Sequence, residues 1–546
     1  MIKEFEQFQK GINYNNKLEP NFYDLVDVNY DFYFGRQWPG AGLSDDLPQP
    51  VFNNINRFIT FFVASIMAGK PTGVFSSPVT LEDSDKSDDI LNASWKEFEE
   101  RVKLTWKIKQ ALTDGAITGD YIAHLLITDD KPYNGVYSEV IGQVDFELID
   151  ANNFYVANPN SSNIQEQLYI QIAGRDLISN LKKESKEVEE IRADNDTAQQ
   201  AGKYGSVELD DSEETGKATY VITYTKKEVE GETRVFVSKC VKDSYIYEDI
   251  DLGISRYPVA LGHWEEQKNT YHGFNFVTSA IPTQIYINRG FAMAMYNTMT
   301  TAFSKLLYDN NKISGWSNKI GGAIGVDLRP GERLSESATY IAPGNMSPQV
   351  MQMIDMAQQY MKETVGANDA LLGNINPEQA SGISISVASK QSGIPLENPK
   401  MNMYNWLEDI MLNYYDIVSN LYGERPVVMQ NDDTSQIEMF DFSQLKGMYK
   451  SVHIDVGTSS YWSEIASMQT LDNLLDRGLI EFMDYLERVP EGYIKDKQEL
   501  INNLKEKMEG EIPPEEFIAS LTPEQQEQFA QLPQEEQQRM MQEAMV

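Results

Sequence analysis

Apolar residues recur at helical spacing in some parts of the chain and form short β-rich runs in others. Helical spacing predicts helices in residues 1–34, from Pro50 to about Gly69, and over residues 88–118. Runs rich in β-branched and aromatic residues, bounded by turn residues, predict strands. These runs are 121–128, 144–149, 169–173, 220–225, 234–240, 245–247, 426–430 and 452–456. The mixture predicts an α+β fold with several subdomains.

Two helices in the second half of the chain are rich in alanine and methionine. The first is predicted to run to Tyr308, with Ser279 as its cap and Pro282 in its first turn, where the missing N–H costs nothing. The second is predicted to begin near Ser347, after a glycine-rich, strand-like segment. The seam of the first helix has spacings of three and four residues and consists of Ala292, Met295, Met299, Ala302 and Leu306.

A polar loop and a third long helix follow these two. The third helix, residues 383–422, is expected to be kinked because Pro395 and Pro399 interrupt its pattern. Further helices are predicted at about 461–475 and 480–508. The last 36 residues contain 8 Glu, 8 Gln and one Arg, a composition that favours short capped helices over a core.

Negative charge dominates the chain and limits its partners. Its 546 residues include 46 Lys and Arg against 83 Asp and Glu, for a net charge of −37. This excess opposes tight wrapping on DNA and binding to anionic membranes, since both need clustered cations. A DNA partner is compatible with it if the contact slides rather than holds. The stretch 183–217 alone has 11 acidic and 5 basic residues, which predicts an exposed helix or a mobile insertion.

Cysteine content and hydropathy favour a soluble, intracellular protein. Cys240 is the single cysteine, so no intrachain disulfide can form and a reducing compartment is expected. The most apolar run, 55–69, contains Arg57 and is shorter than the roughly 20 residues that span a membrane. The first residues lack the basic region and apolar core of a signal peptide.

The search for catalytic motifs favours no enzyme, and we expect no catalytic residue, metal site or cofactor. The four histidines, at 124, 263, 272 and 453, lie in no zinc-binding or metalloprotease pattern. Cys240 lies in a strand pattern, where a buried inert thiol is expected. The glycines at 321–325 lack the ending of a phosphate-binding loop, and the pair Glu265–Glu266 does not stand out among so many carboxylates.

Several segments, each weak alone, occur in an order that is typical of one family. The segments are FYFGRQWP, PVFNNINRFITFFVASIMAGKP, DGAITGDYIAHL, FELIDANNFYVANPNSSNIQEQLYI, YPVALGHWEE, IPTQIYINRGF and ANDALLGNINPEQASGISI. Their succession resembles the portal proteins of tailed, double-stranded DNA bacteriophages over roughly residues 20–500.

The resemblance implies a ring, usually of twelve subunits, at one vertex of the capsid. Double-stranded DNA would enter and leave through its central channel without sequence-specific contacts. A separate terminase motor would supply the energy for packaging. The major capsid and scaffolding proteins and a head–tail adaptor are the other implied partners. The protein would be assembled in the host cytoplasm, reside in the virion and have no membrane partner.

The resemblance also divides the chain into the parts of a portal fold. They are a mixed wing at 1–272 with the insertion 183–217, a first stem helix at 273–308, a small β-containing clip at 309–345, a second stem helix at 346–366, a tunnel loop at 367–382, a kinked helix and wing return at 383–460, and a helical crown with an acidic, Gln-rich tail at 461–546.

Ring geometry is compatible with this implication. Twelve helices standing side by side about 10 Å apart enclose a circle of about 120 Å circumference and about 19 Å radius. Half a helix thickness, about 5 Å on each side, leaves an opening of about 28 Å, which admits a DNA duplex. Because the number twelve comes from the resemblance, this is a test of consistency.

Sparse cations and polar loop residues are the candidates for DNA contact. Lys305, Lys312 and Lys319 lie near the clip, and Lys362 lies on the second stem helix. The alternative for these lysines is that they are ordinary solvated charges. The candidate residues of the tunnel loop are Asn374, Asn376, Glu378, Gln379 and Ser381.

Two other functions remain open at the level of sequence. An acidic hydrolase of a polymer would need a cleft with convergent carboxylates. The other function is that of a virion connector or scaffold without a DNA channel.

Overall fold

A computed structural model gives the fold, and it divides the chain into two compact units. The first unit is Met1–Pro377 with Val387–Gly457, and the second is Glu378–Ser386 with Thr458–Val546. The structure describes residues 2–38, 48–69, 71–77, 82–128, 142–184, 191–194, 216–301, 305–313, 326–331, 333, 338–341, 348–364, 394–431, 434–448, 450–455, 482–489 and a few single residues between 471 and 501.

Five helices and one short strand form the first part of the first unit. They are α1 (Lys3–Lys17), α2 (Phe22–Tyr33), α3 (Asn54–Met67), β1 (Thr72–Ser76), α4 (Glu82–Val102) and α5 (Leu104–Thr118). The single helix expected over residues 88–118 is wrong. Lys103 has a φ of 54°, in the left-handed region, and this residue separates α4 from α5.

Two antiparallel sheets follow and confirm the strands predicted in this region. Their elements are β2 (Asp120–Thr128), β3 (Gln143–Ile149), β4 (Phe154–Val156), β5 (Tyr169–Leu177), α6 (Ile178–Glu184), β6 (Lys217–Val229), β7 (Glu232–Cys240), β8 (Tyr245–Asp251) and β9 (Val259–His263). One sheet has the order β3-β2-β9 and the other the order β4-β5-β6-β7-β8. Most of the acidic stretch 183–217 lies outside the described residues, although Asp194 accepts a hydrogen bond from the Thr219 backbone N–H at 3.1 Å.

A helical hairpin with a two-stranded tip comes next. It comprises α7 (Phe276–Thr301), β10 (Lys305–Tyr308), β11 (Ala338–Ile341) and α8 (Pro348–Thr364). The expectation that the first of these helices continues to Tyr308 is wrong, because residues 305–308 pair with 338–341 as antiparallel strands. The ladder of backbone hydrogen bonds replaces the helical ones there.

The start of α7 also differs from the expectation. Asn275 caps the helix by accepting a hydrogen bond from the Thr278 backbone N–H at 2.8 Å. The Ser279 hydroxyl instead donates to the Phe276 carbonyl, one turn back, at 2.7 Å. Pro282 therefore lies inside the helix, where it removes one backbone donor.

The long helix α9 (Glu397–Leu421) begins at the prolines that were expected to kink it. Pro395 lies in a short 3-10 turn before the helix and Pro399 in its first turn. Residues 383–393 lie outside the described part of the chain, so the expected kink is not seen in the described helix. After α9 come β12 (Glu424–Asn431) and β13 (Thr434–Asp441), which pair with each other, and β14 (Ser451–Asp455), which pairs with β1.

The main core is formed mainly by apolar side chains of α2, α3, α4, α5, α7 and α9 together with those of both sheets. The predicted apolar seam of α9 is buried from Met403 to Ile417. Two of its polar side chains fix it to β9, since Trp406 Nε1 donates to the Ala260 carbonyl at 3.1 Å and Asn413 Nδ2 to the Val259 carbonyl at 3.0 Å. These helices and sheets make the protein an α+β fold.

The second unit is described over a short length. Its helix α10 (Phe482–Arg488) falls within the helix predicted at 480–508. The remainder of the predicted crown and tail, 461–546, lies almost entirely outside the described residues. Among the helices that the structure describes, none has a stretch long and apolar enough to cross a bilayer.

Candidate subunit interface and channel residues

The first half of α7 is anchored in the body of the first unit by buried polar side chains. Gln284 and Asn288, one turn apart, are at most 1% exposed. Gln284 Nε2 donates to the Phe52 carbonyl at 2.7 Å, and Asn288 Nδ2 donates to Gln37 Oε1 at 2.7 Å. Because these bonds are directional and shielded from water, they fix both the rotation and the height of α7.

The helices α7 and α8 run antiparallel in close contact. A Cβ atom added at Gly290 would lie 3.1 Å from Ile354 Cγ1, so glycine allows the two backbones to approach here. Further toward the body, Met361 of α8 receives a weak contact from Asn54 Nδ2 at 3.9 Å, next to the segment that binds Gln284. The register of the hairpin is therefore set at the level of Gly290 and Ile354.

On both sides of this level, α7 and α8 expose large apolar side chains. On α7 the exposed fractions are 66% for Met293 and 58% for Met299, although both positions lie in a helix with apolar neighbours. The predicted seam of α7 is thus buried at Ala292 but not at the methionines. The full set of exposed apolar residues on the two helices is Tyr286, Met293, Met295, Tyr296, Met299, Met351, Met353, Met356 and Tyr360. Exposed apolar side chains in this number are typical of an interaction site.

The two helices carry few charges. In α7, 26 residues long, Arg289 is the single charged residue. In α8, 17 residues long, the charged residues are Asp355, Lys362 and Glu363. The helical pair α7–α8 therefore has two basic and two acidic residues, whereas charged residues make up 24% of the chain. It is an almost neutral part of a strongly acidic protein.

The three candidate lysines that the structure describes are not all close together. Lys305 begins β10, and Lys312 lies in the turn that follows, with its Nζ 3.9 Å from Asp309 Oδ2. Lys362 lies in the last turn of α8, about 21 Å along the helix from Pro348, at the opposite end from the strands. The ion pair of Lys312 agrees with the interpretation of that lysine as an ordinary surface charge. Lys319 lies outside the described residues.

The candidate tunnel loop also lies outside the described residues. This applies to the whole range 367–382 and hence to Asn374, Asn376, Glu378, Gln379 and Ser381. Their proposed contact with DNA stays a prediction.

A buried polar cluster below α7 was not predicted from the sequence. Asp120, at the start of β2, is 3% exposed and accepts hydrogen bonds from His263 Nδ1 at 2.8 Å and His272 Nδ1 at 2.7 Å. The Gly273 backbone N–H donates to the same carboxylate at 2.7 Å. Burial by itself raises the pKa of Asp120, but the two histidines outweigh it and lower this pKa to about 2.

The cluster extends to the N-terminal helices and ends next to the cap of α7. His272 Nε2 and the Tyr271 hydroxyl both lie 3.1 Å from Asn15 Oδ1 on α1. The ring of Phe22 stacks on His272 with centroids 3.8 Å apart. Since Asn275 follows this segment directly, the cluster holds the starting point of α7 against α1, α2 and β2. No local sequence signal could reveal it, because His263 and His272 are 143 and 152 residues from Asp120.

The other candidate chemical groups have structural environments. His124 is fully buried between Glu147 Oε1, at 2.8 Å from its Nδ1, and the Tyr224 hydroxyl, at 2.7 Å from its Nε2. Burial, with a contribution from Glu4, raises the pKa of the Cys240 thiol to about 12. Within the described ranges, no group of three or more His, Cys, Asp or Glu residues has an arrangement that could hold a metal ion.

Two cavities bear on the hydrolase alternative. The larger, of about 480 Å³, lies between α4 and β12 and is lined by the carboxylates of Asp89, Glu97 and Glu100 together with Lys96, so it keeps this alternative open. The other cavity is smaller. It has a volume of about 40 Å³ and lies between α4, α9 and β12. Glu97 is its single carboxylate, and Arg101 and Arg425 line the same cavity. This cavity therefore lacks the pair of convergent carboxylates that the hydrolase alternative requires.

Comparison with known proteins does not identify a family. No family model matches the chain, and no curated protein is similar to it in sequence. The functional interpretation therefore depends on the resemblance in segment order and on the geometry of the hairpin.

Proposed function

We propose that this chain is the portal subunit of a tailed, double-stranded DNA bacteriophage. Copies of it would form a ring of about twelve at one capsid vertex, and DNA would pass through the ring during packaging and ejection. The observation that carries the proposal is the exposed methionine- and tyrosine-rich surface of the hairpin α7–α8. Neighbouring copies would cover this surface in a ring.

The size of the apolar surface supports an oligomer. Its nine side chains are between 38% and 66% exposed. Covering one of them therefore gains about half of the free energy that burying a fully exposed side chain would give. At about 1.5–3 kcal/mol for a fully buried large side chain, the sum is on the order of 10 kcal/mol per subunit. Association costs about 4–15 kcal/mol in lost freedom, so the hairpin offsets much of this cost and contacts of the wing would supply the rest.

The charge distribution supports a channel that DNA passes through without binding tightly. The chain has a net charge of −37, so a ring of such chains repels phosphates over most of its surface. The hairpin, which would stand around the bore, is close to neutral. DNA of any sequence would then move past it with weak contacts that salt screens.

The proposal assigns the remaining partners by position in the resemblance. The range assigned to the clip, 309–345, includes β11, which pairs with β10 at the tip of the hairpin. The terminase motor and later the head–tail adaptor would dock there. The capsid and scaffolding proteins would surround the wing. The protein would have no enzymatic activity of its own and would reside in the virion.

Mass measurement and end-on electron microscopy of the purified protein test the proposal. We expect a ring of about twelve copies with an axial bore wider than a DNA duplex. Met293→Glu should reduce ring formation, because it places a charge in the covered surface. Leu168→Glu is the matched control, since Leu168 is 74% exposed in a loop of the wing and should tolerate the change.

Other outcomes would contradict the proposal in distinct ways. A monomer that resists assembly would exclude a portal, and a ring without an open bore would favour a connector or scaffold. Deletion of 374–378 should leave the ring intact but impair DNA packaging or retention. Normal packaging by this deletion variant would refute the assignment of the tunnel loop.

A further inference from the structure

Two opposite charges on the hairpin are exposed, and neither has an ionic partner among the residues that the structure describes. Arg289, the one charged residue of α7, is exposed, and so is Asp355 of α8. Within the described ranges, neither side chain has an oppositely charged atom within 4.0 Å, although ion pairs are found for other exposed residues such as Arg234 with Asp251 at 3.3 Å. As far as the described ranges show, each charge can therefore pair with a group from a second copy of the chain.

The register of the hairpin places both charges at one level. Gly290 faces Ile354 across the two helices. Arg289 precedes Gly290 and Asp355 follows Ile354, and in antiparallel helices these two steps lead in the same direction along the axis. Each step is about 1.5 Å, so Arg289 and Asp355 lie at the same height to within a small fraction of a turn.

Helical geometry places the two charges on opposite faces of the hairpin. A step of one residue rotates a side chain by about 100° around the helix axis. Arg289 lies one step before the residue that faces α8, and Asp355 lies one step after the residue that faces α7. Because the helices run in opposite directions, these rotations carry the two side chains to opposite sides of the plane that contains both axes.

We propose that Arg289 of each copy forms an ion pair with Asp355 of the next copy around the ring. This inference rests on the proposed ring function. Rotation about the ring axis leaves height unchanged, so the face with Arg289 meets the face with Asp355 at a matching level. Each copy then contributes one cation to one neighbour and one anion to the other, which is a heterologous contact that closes on itself.

The surroundings favour a second copy of the chain as the occupant of this surface. On α7, Arg289 lies between Tyr286 and Met293, which are one turn away on either side and are 48% and 66% exposed. On α8, Met351 lies one turn before Asp355 and is 38% exposed. These apolar residues exclude water when the faces meet, so the pair is worth more than an isolated surface pair. The methionine contacts have no preferred direction. The ion pair would therefore fix how far one copy is displaced along the ring axis relative to the next.

Charge reversal in the full-length protein tests the proposal. We expect Arg289→Glu and Asp355→Arg each to raise the protein concentration needed for half assembly by about tenfold, because each places like charges together. The double variant should return to within about twofold of the wild type. Lys109→Glu and Glu248→Arg make the same charge changes at exposed positions outside the hairpin and serve as controls.

Cross-linking provides a second test that does not depend on stability. In a variant with both Arg289→Cys and Asp355→Cys, a short bis-maleimide should give a ladder of covalent oligomers, and each single variant should not. Cys240 is fully buried and should give little background. Two results would overturn the proposed ion pair. The charge-reversed double variant could assemble no better than the single variants, or the cross-links could form only within one chain. Neither result would contradict the proposed ring itself.

One outcome would identify a different partner for Arg289. If Arg289→Glu assembles normally but packages DNA poorly, the guanidinium faces phosphates in the bore and the proposed pair does not exist. Failure of the wild type to form rings would instead refute the proposed function itself.

Discussion

Replacement of Asp120 by Asn tests whether the buried cluster below α7 stabilises the fold through charge. The substitution preserves the shape of the side chain but removes its charge, and it places an NH₂ group against groups that already donate hydrogen bonds. Asp120 accepts three such bonds, all between 2.7 and 2.8 Å, from His263, His272 and the Gly273 backbone. Loss of one partner from a buried charged cluster typically costs about 3–5 kcal/mol.

The pH dependence separates the charge effect from a packing effect. The pKa of Asp120 falls from 3.8 to about 2 in the folded protein, since the histidines outweigh the effect of burial. A carboxyl with a lowered folded-state pKa contributes stability that is complete above its unfolded pKa and is lost as pH falls through its folded pKa. The shift corresponds to about 2 kcal/mol, of which about 1 kcal/mol is lost by pH 3.

Urea unfolding of dilute, unassembled protein, followed by tryptophan fluorescence, measures both effects. Asp120→Asn should be less stable than the wild type by about 3–5 kcal/mol at pH 7. This difference should shrink by about 1 kcal/mol at pH 3. Asp249→Asn is a surface control, because the side chain of Asp249 is 51% exposed and pairs with Lys227. A difference that stays constant between pH 7 and pH 3 would refute the reasoning, as would a loss below 1 kcal/mol at pH 7.

Three further predictions follow from particular contacts. Gly290→Val should separate α7 from α8 and lower the melting temperature measured by circular dichroism more than Gly290→Ala does, because the first added carbon already lies 3.1 Å from Ile354; equal melting temperatures would contradict the register. Cys240, with its pKa raised to about 12 by burial, should react with a thiol reagent at neutral pH only after unfolding, and rapid labelling of the folded protein would count against this environment. Lys362→Ala should assemble normally and alter DNA packaging modestly, whereas loss of assembly would show that Lys362 is structural.

The helices and strands that were predicted correctly are those whose structure depends mainly on the residues within the element itself. The seam of α9 from Met403 to Ile417 is apolar at every third or fourth position, and the structure buries it. Strands such as β2 and β6 are runs rich in β-branched and aromatic residues between turn residues, and β2 is buried on both faces from Asp120 to Leu125. In these cases the local composition and spacing contain the information.

The wrong boundaries arise where a longer-range contact overrides local preference. Residues 305–308 continue the helical spacing of α7, but their pairing with 338–341 makes them a strand. The left-handed conformation at Lys103 ends α4 without a glycine or proline to announce it. Ser279 is a good capping residue by type, yet Asn275 lies where the chain leaves the Asp120 cluster and takes that role.

The candidate site was predictable in part. The methionine- and alanine-rich helices were recognised as a pair, but their register depends on Gly290 meeting Ile354 across the hairpin, which no pattern within either helix contains. The opposite placement of Arg289 and Asp355 follows from that register. The Asp120 cluster joins residues that are more than 140 positions apart and required the fold itself.

The two halves of α7 reverse the usual relation between polarity and burial, and this reversal has a consequence for assembly. The base of the helix is held by the buried amides of Gln284 and Asn288, whereas Met293 and Met299, nearer its end, are exposed. Directional hydrogen bonds fix the height of the base, and flexible thioethers adapt to a neighbour whose shape varies. Arg289 lies at the boundary between the two halves of α7. The hydrogen bonds of Gln284 and Asn288 still fix its height along the helix axis. In the proposed ring this is the level at which an ion pair can specify alignment, because further along α7 the methionine contacts would accept several registers.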